Sequence, residues 1–484
     1  MEFSPLSTSG IGPATPATEP VKTLGFEPSL PATHNELIMM TNLNPSPSAS
    51  AVNAPENNDS ASSSHDSSAH ILRARLQLGA ICWSLFLAGW NDGTSGPLIP
   101  RMQRVYHASF LIVSLVFVIS SMGFIFGAAV NMHWTDKHGF GRLMVLGAAC
   151  QVAAYSIQAP APPFPLFAAS FFLNGLTISI QNAQANAYVA SLRFNSEMYL
   201  GMLHACYGAG ALCSPLVATQ FAQMDHWSFH YLASLGMAVL NVIVLTLTFR
   251  FRLLSECLAL IGQAPGDTST HDRSNFRQIL SLKSVHVLGF FALMYAGVEV
   301  SIGGWITTYL IDVRGAGPSA GYTTSGFFGG IMIGRVALLW LNKKGRIPFE
   351  ILHSVFHADL FLQIGERRVL YLYVALAMSL EFVVWFVPSF IGGAVAVSLV
   401  GVFLGPMYPI MISRTSQVVP RWLLSGSIGW IAGFGQAGSA ILPFITGAIA
   451  SKTGIRTVQP LLISLMAMFP ILWALVPNSP QRID

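Results

Sequence analysis

Charge is what this chain is short of. Only 10% of its residues are Asp, Glu, Lys or Arg, against about 25% in an ordinary soluble domain, while 52% are hydrophobic and the mean hydropathy is +0.56. That excludes a soluble globular fold and predicts a multi-pass integral membrane protein. Cysteine is scarce too. There are five, with no CxxC pair and four of them in apolar runs, which argues against a disulfide framework or a zinc site. The chain has no GxxxxGK[ST] loop for ATP, no His/Cys metal cluster and no Ser-His-Asp set in a soluble context. An enzyme, a metal and a cofactor are therefore not expected. A formal charge of +4 is too small to point to a nucleic acid. Residues 1–75 hold much Ser, Pro, Ala, Thr and Asn and almost no aromatics, so they are expected to form a disordered cytoplasmic tail. A basic stretch leading into an apolar core, the mark of a cleavable signal peptide, is missing.

From Leu76 onward there are twelve apolar runs, near 76–100, 109–132, 143–161, 164–189, 199–223, 230–250, 285–311, 320–341, 369–387, 391–413, 426–450 and 458–476. At ~1.5 Å per residue such runs cross a hydrocarbon core of ~30 Å. The hydrophilic break at 251–284 divides them six and six. The expected fold class is an all-α membrane protein, with twelve transmembrane helices in two pseudo-symmetric six-helix bundles, 76–250 and 285–476. Residues 251–284 form a cytoplasmic linker and 477–484 a second cytoplasmic tail. With the N-terminus inside, 19 of the 25 Lys and Arg fall in inner segments and five in outer loops, leaving Arg335 within a span. This bias places both termini in the cytoplasm, and the plasma membrane is the expected location.

Acids inside the spans are the next signal. Trp90-Asn91-Asp92-Gly93 lies well inside the first span, and an ionised carboxylate there is costly unless paired, hydrated or protonated, so its default reading is functional. Snorkelling toward Arg101 and Arg104 is the structural alternative. Glu299, in the seventh span, stands 207 residues after Asp92 and at the same depth, about 14–16 residues from the inner end of its run. Two acids on equivalent helices of a parallel repeat point to a shared proton-binding chemistry.

The repeat also exposes a misfit. Asp136-Lys137-His138-Gly139 matches Asn342-Lys343-Lys344-Gly345 at an offset of 206, whereas Gly208, Gly210 and Ser214 match Gly433, Gly435 and Ser439 at 225, a difference of 19 residues. Removing about 346–364 restores the register and sets Arg367 opposite Arg142. Arg346 can encode a GT donor, His357-Ala358-Asp359 a branch site, and Ile364-Gly365 an in-phase AG acceptor. The segment is therefore expected to be a translated unspliced intron, with an amphipathic loop helix as the alternative.

Twelve spans split six and six, with a basic Asp-Lys-x-Gly…Arg loop after the second span and its echo after the eighth, resemble the major facilitator superfamily over 76–476. In that family a Gly-x3-Asp-Arg/Lys-x-Gly-Arg loop latches the cytoplasmic gate. The resemblance gives this role to Asp136, Lys137, Gly139 and Arg142, with the last spacing altered and Asn342 replacing the acid in the second copy. Gly89-Trp90-Asn91-Asp92-Gly93, Leu203-His204-Ala-Cys-Tyr207-Gly208-Ala-Gly210 and Gly297-Val-Glu299-Val-Ser-Ile-Gly303-Gly304-Trp305 are similar to the fucose–galactose–gluconate proton-symporter branch and its fungal relatives. That branch couples sugar uptake to a carboxylate in its first span, which Asp92 matches. Its second acid lies in the fourth span, where this chain has none, and Glu299 is the expected substitute.

The resulting expectation is a secondary active transporter of a small organic, sugar-like solute, proton-coupled and working as a monomer in the bilayer. Export of a fungal small metabolite on the same fold is the alternative, and a channel or a non-transporting sensor is a more distant one. Asp92 and Glu299 are the proton-coupling candidates. Asn174, Thr177, Gln181 and Gln184 share one helical face and suit either solute hydroxyls or interhelical hydrogen bonds. Trp90 and Trp305 offer stacking surfaces or interfacial anchors, and Asn91 neighbours the acid. His204 is a proton relay or a helix-packing group. Arg335 pairs with a carboxylate, snorkels or gates. Glu381 is read as helix packing, and Gly405-Pro406-Met407-Tyr408-Pro409 as a bent helix.

Overall fold

In a computed structural model of the chain, residues 59–193, 195–263, 274–344 and 366–477 are described. The helices follow the expected runs. Span one is Asp59–Tyr106, two Phe110–His138, three Phe140–Gln158, four Phe164–Ala190, five Ser196–Ala222 and six His230–Phe249. Short helices Leu254–Ala259 and Ser274–Ser281 precede span seven, Lys283–Arg314, and span eight, Tyr322–Lys344. Span nine is Glu366–Phe386, ten is Phe390–Leu404 with Met407–Val418, eleven is Leu424–Thr453, and twelve is Val458–Met466 with Met468–Leu475. Among the described residues eleven helices are long and apolar enough to cross a membrane. The remaining expected span, Tyr322–Lys344, has 23 residues, enough for ~34 Å, and carries Arg335 within its apolar run.

Local chemistry sets the ends. The Ser109 hydroxyl accepts from the Ile112 amide to start span two, and Ser389 does the same for Gly392 at the start of span ten. Span ten breaks at Gly405-Pro406, as the bent-helix expectation has it, because proline lacks the amide that would continue the ladder. Span one starts earlier than expected. Its helix reaches back to Asp59, so 59–75 is not part of a disordered tail; residues 1–58 lie outside the described ones. Ala69–Arg75 is largely made of good helix formers, and His70 Nδ1 is hydrogen-bonded to the Leu260 carbonyl at 2.8 Å. The expected insertion at 346–364 also lies outside the described residues.

Glycine decides how the first bundle closes. A Cβ on Gly89 would run into the Tyr207 carbonyl, and one on Gly210 into the Phe86 carbonyl. Spans one and five therefore meet backbone to backbone, as small residues allow in a membrane. The second bundle repeats this between spans seven and eleven, but with Gly438 against the Leu293 carbonyl. Leu293 stands 207 residues after Phe86, the Asp92–Glu299 offset. The counterpart of Gly210 is thus Gly438, three residues beyond the Gly435 of the sequence alignment. Gly435 has only ordinary contacts, the nearest at 3.7 Å.

Between the bundles, span one meets seven, two meets eleven and five meets eight. The close approaches concentrate toward the distal end, where span one stops and span two starts. Gly96 lies against the Gly303 carbonyl, Gly321 against Thr219 and Pro97, and Gly447 against Phe110 and Ser114. Gln220 Nε2 donates to the Tyr322 hydroxyl there. Toward the terminal end, Gly201, Gly429 and Gly433 have no neighbour for a Cβ to meet. Among the described glycines, Gly96, Gly321 and Gly447 mark close approach of the two bundles toward the distal end.

Candidate functional site

The packing of span one on span five carries Asp92 to mid-depth. Gly89 and Gly93 occupy the face against span five, and Asp92, three residues after Gly89, turns to the edge of that contact. Its carboxylate accepts from the Tyr207 hydroxyl at 2.5 Å and from Asn91 Nδ2 at 3.3 Å. Asn91 is itself held, since Tyr155 donates to its Oδ1 at 3.5 Å and Gln151 Nε2 donates to the Tyr155 hydroxyl at 3.4 Å. Asp92 is nevertheless exposed. It is also close enough to Glu299 of the other bundle for their charges to interact. A side chain facing lipid would have no such partner, so the space Asp92 faces lies between the bundles.

Glu299 meets that space from the opposite side and is differently supported. Arg335 of span eight places Nη2 3.8 Å from Glu299 Oε1, with side-chain exposures of 21% and 14%. The expectation that Arg335 pairs with a carboxylate is met by this contact. Tyr295, Tyr207 and Tyr408 all lie within electrostatic range of the pair, and so does His204 with respect to Arg335. His204 is exposed on the terminal side of the same space. Gly208 lets span five sit against Met332 of span eight, which holds the two polar groups near each other.

Other anticipated residues are placed elsewhere. Trp90 is 6% exposed, donates from Nε1 to Ser234 Oγ at 2.9 Å and stacks on His230. Trp305 is fully buried, donates to the Pro443 carbonyl at 3.0 Å and packs edge-on to Phe110 in the distal closure. Neither presents an open stacking face, and both are fixed by helix packing. On span four, Thr177 donates to the Gly147 carbonyl at 2.8 Å, and Gln184 Nε2 donates to Asn131 Oδ1 at 2.6 Å and Thr135 Oγ1 at 2.8 Å. Those bonds join span four to spans three and two, the interhelical alternative. Asn174 and Gln181 are buried on the same face; both amide atoms of Asn174 and Nε2 of Gln181 lack a partner.

The loop after span two owes its glycines to close approach. Gly139 has φ +83, which L side chains rarely adopt, and Gly141 donates to the Arg252 carbonyl at 2.9 Å. Asp136, Lys137 and Arg142 are exposed, and none takes part in an ion pair among the described residues. The partner of Asp92 that the sequence left hidden is Tyr207. It stood in a quoted motif, but only the glycine contact of spans one and five shows that its hydroxyl reaches Asp92. The described residues contain no group of three or more His, Cys, Asp or Glu able to hold a metal.

Residues 81–358 match the family model described as Major Facilitator Superfamily. "Bypass of stop codon protein 6" of Saccharomyces cerevisiae is 28% identical over 423 residues, covering 84% of this chain and 83% of that protein. The "Glucose/mannose transporter GlcP" of Bacillus subtilis is 20% identical, covering 75% and 85%. Among solved structures, a D-xylose-proton symporter superposes with a TM-score of 0.64 at 12% identity, covering 84% of this chain and 98% of its own. A bacterial homologue of the lysosomal transporter Spinster, inward-facing and unoccupied, gives 0.62 at 12% identity, covering 83% and 95%. At such identities the two structures speak for the fold alone.

Proposed function

We propose a mechanism for a chain that belongs to the Major Facilitator Superfamily and is a membrane transporter, not an enzyme: proton-coupled movement of a small, hydroxyl-rich solute. The observation that carries this reading is Asp92. It is an exposed carboxylate at mid-depth, facing the space between the bundles and held by neutral hydrogen-bond donors. An ionised carboxylate at that depth of a membrane is costly unless paired, hydrated or protonated. Gaining and losing a proton is then the chemistry open to it.

Arg335 gives the coupling a physical route. It sits beside Glu299 in the present state. With Asp92 protonated, Glu299 is its carboxylate partner; with Asp92 ionised, the guanidinium has two acids to choose between, one in each bundle. Attraction to Asp92 draws the two bundles together across the space between them, and protonation of Asp92 releases them. Protein, proton and solute thereby exchange free energy through one cation and two acids. Tyr207, His204 and Tyr408 would meet the solute, with Asn174 and Gln181 behind them. The sugar transporters among the relatives support a sugar-like cargo, and the Gly89–Gly93, Leu203–Gly210 and Gly297–Trp305 motifs support a place near the fucose–galactose–gluconate branch. In this proposal the protein works as a monomer in the plasma membrane with both termini in the cytoplasm. In it Asp136, Lys137, Gly139 and Arg142, which form no ion pair among the described residues, are a gate latch in its disengaged state.

A solute screen in proteoliposomes under an imposed pH gradient tests this, with Asp92→Asn and Glu299→Gln beside the parent. Each variant is expected to lose gradient-driven accumulation and to retain exchange. A variant that accumulates solute normally removes its acid from the coupling. The sign of net flux in oriented vesicles decides between uptake and export of a small metabolite.

A further inference from the structure

Span nine buries Leu370, Tyr373, Val374, Ala377, Glu381 and Val384 along one stripe. Five of the six suit the interior of a helical bundle, and Glu381 does not. It is 0% exposed, and neither carboxyl oxygen has a hydrogen-bond partner. The helix-packing role expected for it would require such a bond. Five residues before Phe386, it lies ~7.5 Å by helical rise from the distal end of its span.

We propose that Glu381 is a second proton-binding site, in the distal half of the second bundle and apart from the central acids. An unpaired carboxylate in such a place is strongly penalised, whereas the neutral acid is tolerated. A metal ion is a poor occupant, since hard cations need a shell of oxygens and the stripe on either side offers Ala377 and Val384. The proton needs one oxygen. The charged and titratable groups around the site come from two places. Span seven supplies Tyr309, which is within electrostatic range of Glu381, and Arg314. The turn before span twelve supplies Arg456, which interacts with Tyr309. Spans ten and twelve pack on span nine, and the segments Phe390–Leu404 and Val458–Met466 contain no titratable residue.

Arg314 makes the site a switch. Its Nη2 donates to the Val384 and Trp385 carbonyls at 2.7 and 2.6 Å, capping the last turn of span nine, while its guanidinium lies 5.8 Å from the Tyr309 ring centroid. The cation that could neutralise Glu381 is thus engaged three and four residues further along the same helix. When the carboxyl gives its proton to water at the distal side, the carboxylate left behind competes with those carbonyls for Arg314. Proton occupancy therefore decides whether spans seven and nine are fastened through backbone carbonyls or through an ion pair.

Infrared spectroscopy of the purified full-length protein in lipid, titrated across pH, tests this. The background is Asp92→Asn with Glu299→Gln, so that the central acids contribute nothing whichever way the transport proposal falls. A carbonyl stretch of an unbonded carboxylic acid is expected. It should vanish in Glu381→Gln and in Glu381→Met, and fade reversibly in the parent as pH rises. Arg314→Gln, which takes away the waiting cation, should move that fading up by about one pH unit or more. If the Gln variant does not fold, the Met variant, matched to an apolar stripe, makes the same comparison. A spectrum unchanged by replacing Glu381 overturns the proposal. So does a band that persists until the protein unfolds, which would make Glu381 a fixed neutral group, and so does fading that Arg314→Gln leaves where it was.

Discussion

The two bundles place an acid at the same depth of the same helix and support it in different ways. Asp92 is exposed and bound by a phenol and an amide; Glu299 is mostly enclosed and sits beside a guanidinium. Equivalent positions in a repeat therefore do not carry equivalent chemistry. One acid is exposed and held by neutral donors, and the other lies beside a cation. The glycine contacts show the opposite tendency. Gly210 and Gly438 do the same work in the two halves, because backbone-to-backbone packing leaves no room for variation.

Arg335→Gln breaks the contrast most severely. It leaves Glu299 unpaired in a place of low exposure and is expected to cost about 3 kcal/mol, the low end for stripping one partner from a buried pair. Adding Glu299→Gln should recover most of that. Asp92→Asn should cost less than about 1 kcal/mol, since its partners are neutral. Thermal unfolding in detergent reads all three, and equal losses for Arg335→Gln and Asp92→Asn would erase the difference between the halves. Gly210→Ala and Gly438→Ala come next, at about 1–3 kcal/mol each by overpacking. Gly435→Ala should fall within about 0.5 kcal/mol, and a larger loss there would restore the alignment based on sequence. Thr177→Val is expected to be similarly mild, about 0.6 kcal/mol for an interhelical hydrogen bond in a membrane. A loss of solute affinity out of proportion to stability would instead return that face to the transport path.

The twelve runs were legible because lipid permits so few alternatives, and Asp92 because a charge among apolar residues stands out in any window. The orientation of span four was not legible. Asn174, Thr177, Gln181 and Gln184 share a face by periodicity alone, but which neighbour that face meets depends on packing that no single helix encodes. Trp90 and Trp305 misled for a similar reason. Both lie beside the acids in sequence, yet a side chain two residues from Asp92, or six from Glu299, points to a different sector of its helix. The offset between the halves was read from small residues, which recur often enough to align a turn out of place. The bounds 346–364 rested on that same alignment, which the pairing of Gly210 with Gly438 shifts by three residues; sequencing the mature transcript tests the insertion directly, and a message that retains those codons makes the segment a genuine loop.

The underside of the first bundle holds the start of the linker at several points. Arg252 accepts from Gly141, the Cys257 carbonyl from Gln77, the Leu260 carbonyl from His70, and Gln263 from the Arg193 amide. Tyr188 in turn fixes Gln77 at 2.7 Å. Riveted in this way, the stretch from Arg252 to Gln263 is luggage of the first half: if the two halves move relative to one another, it goes with spans one to six.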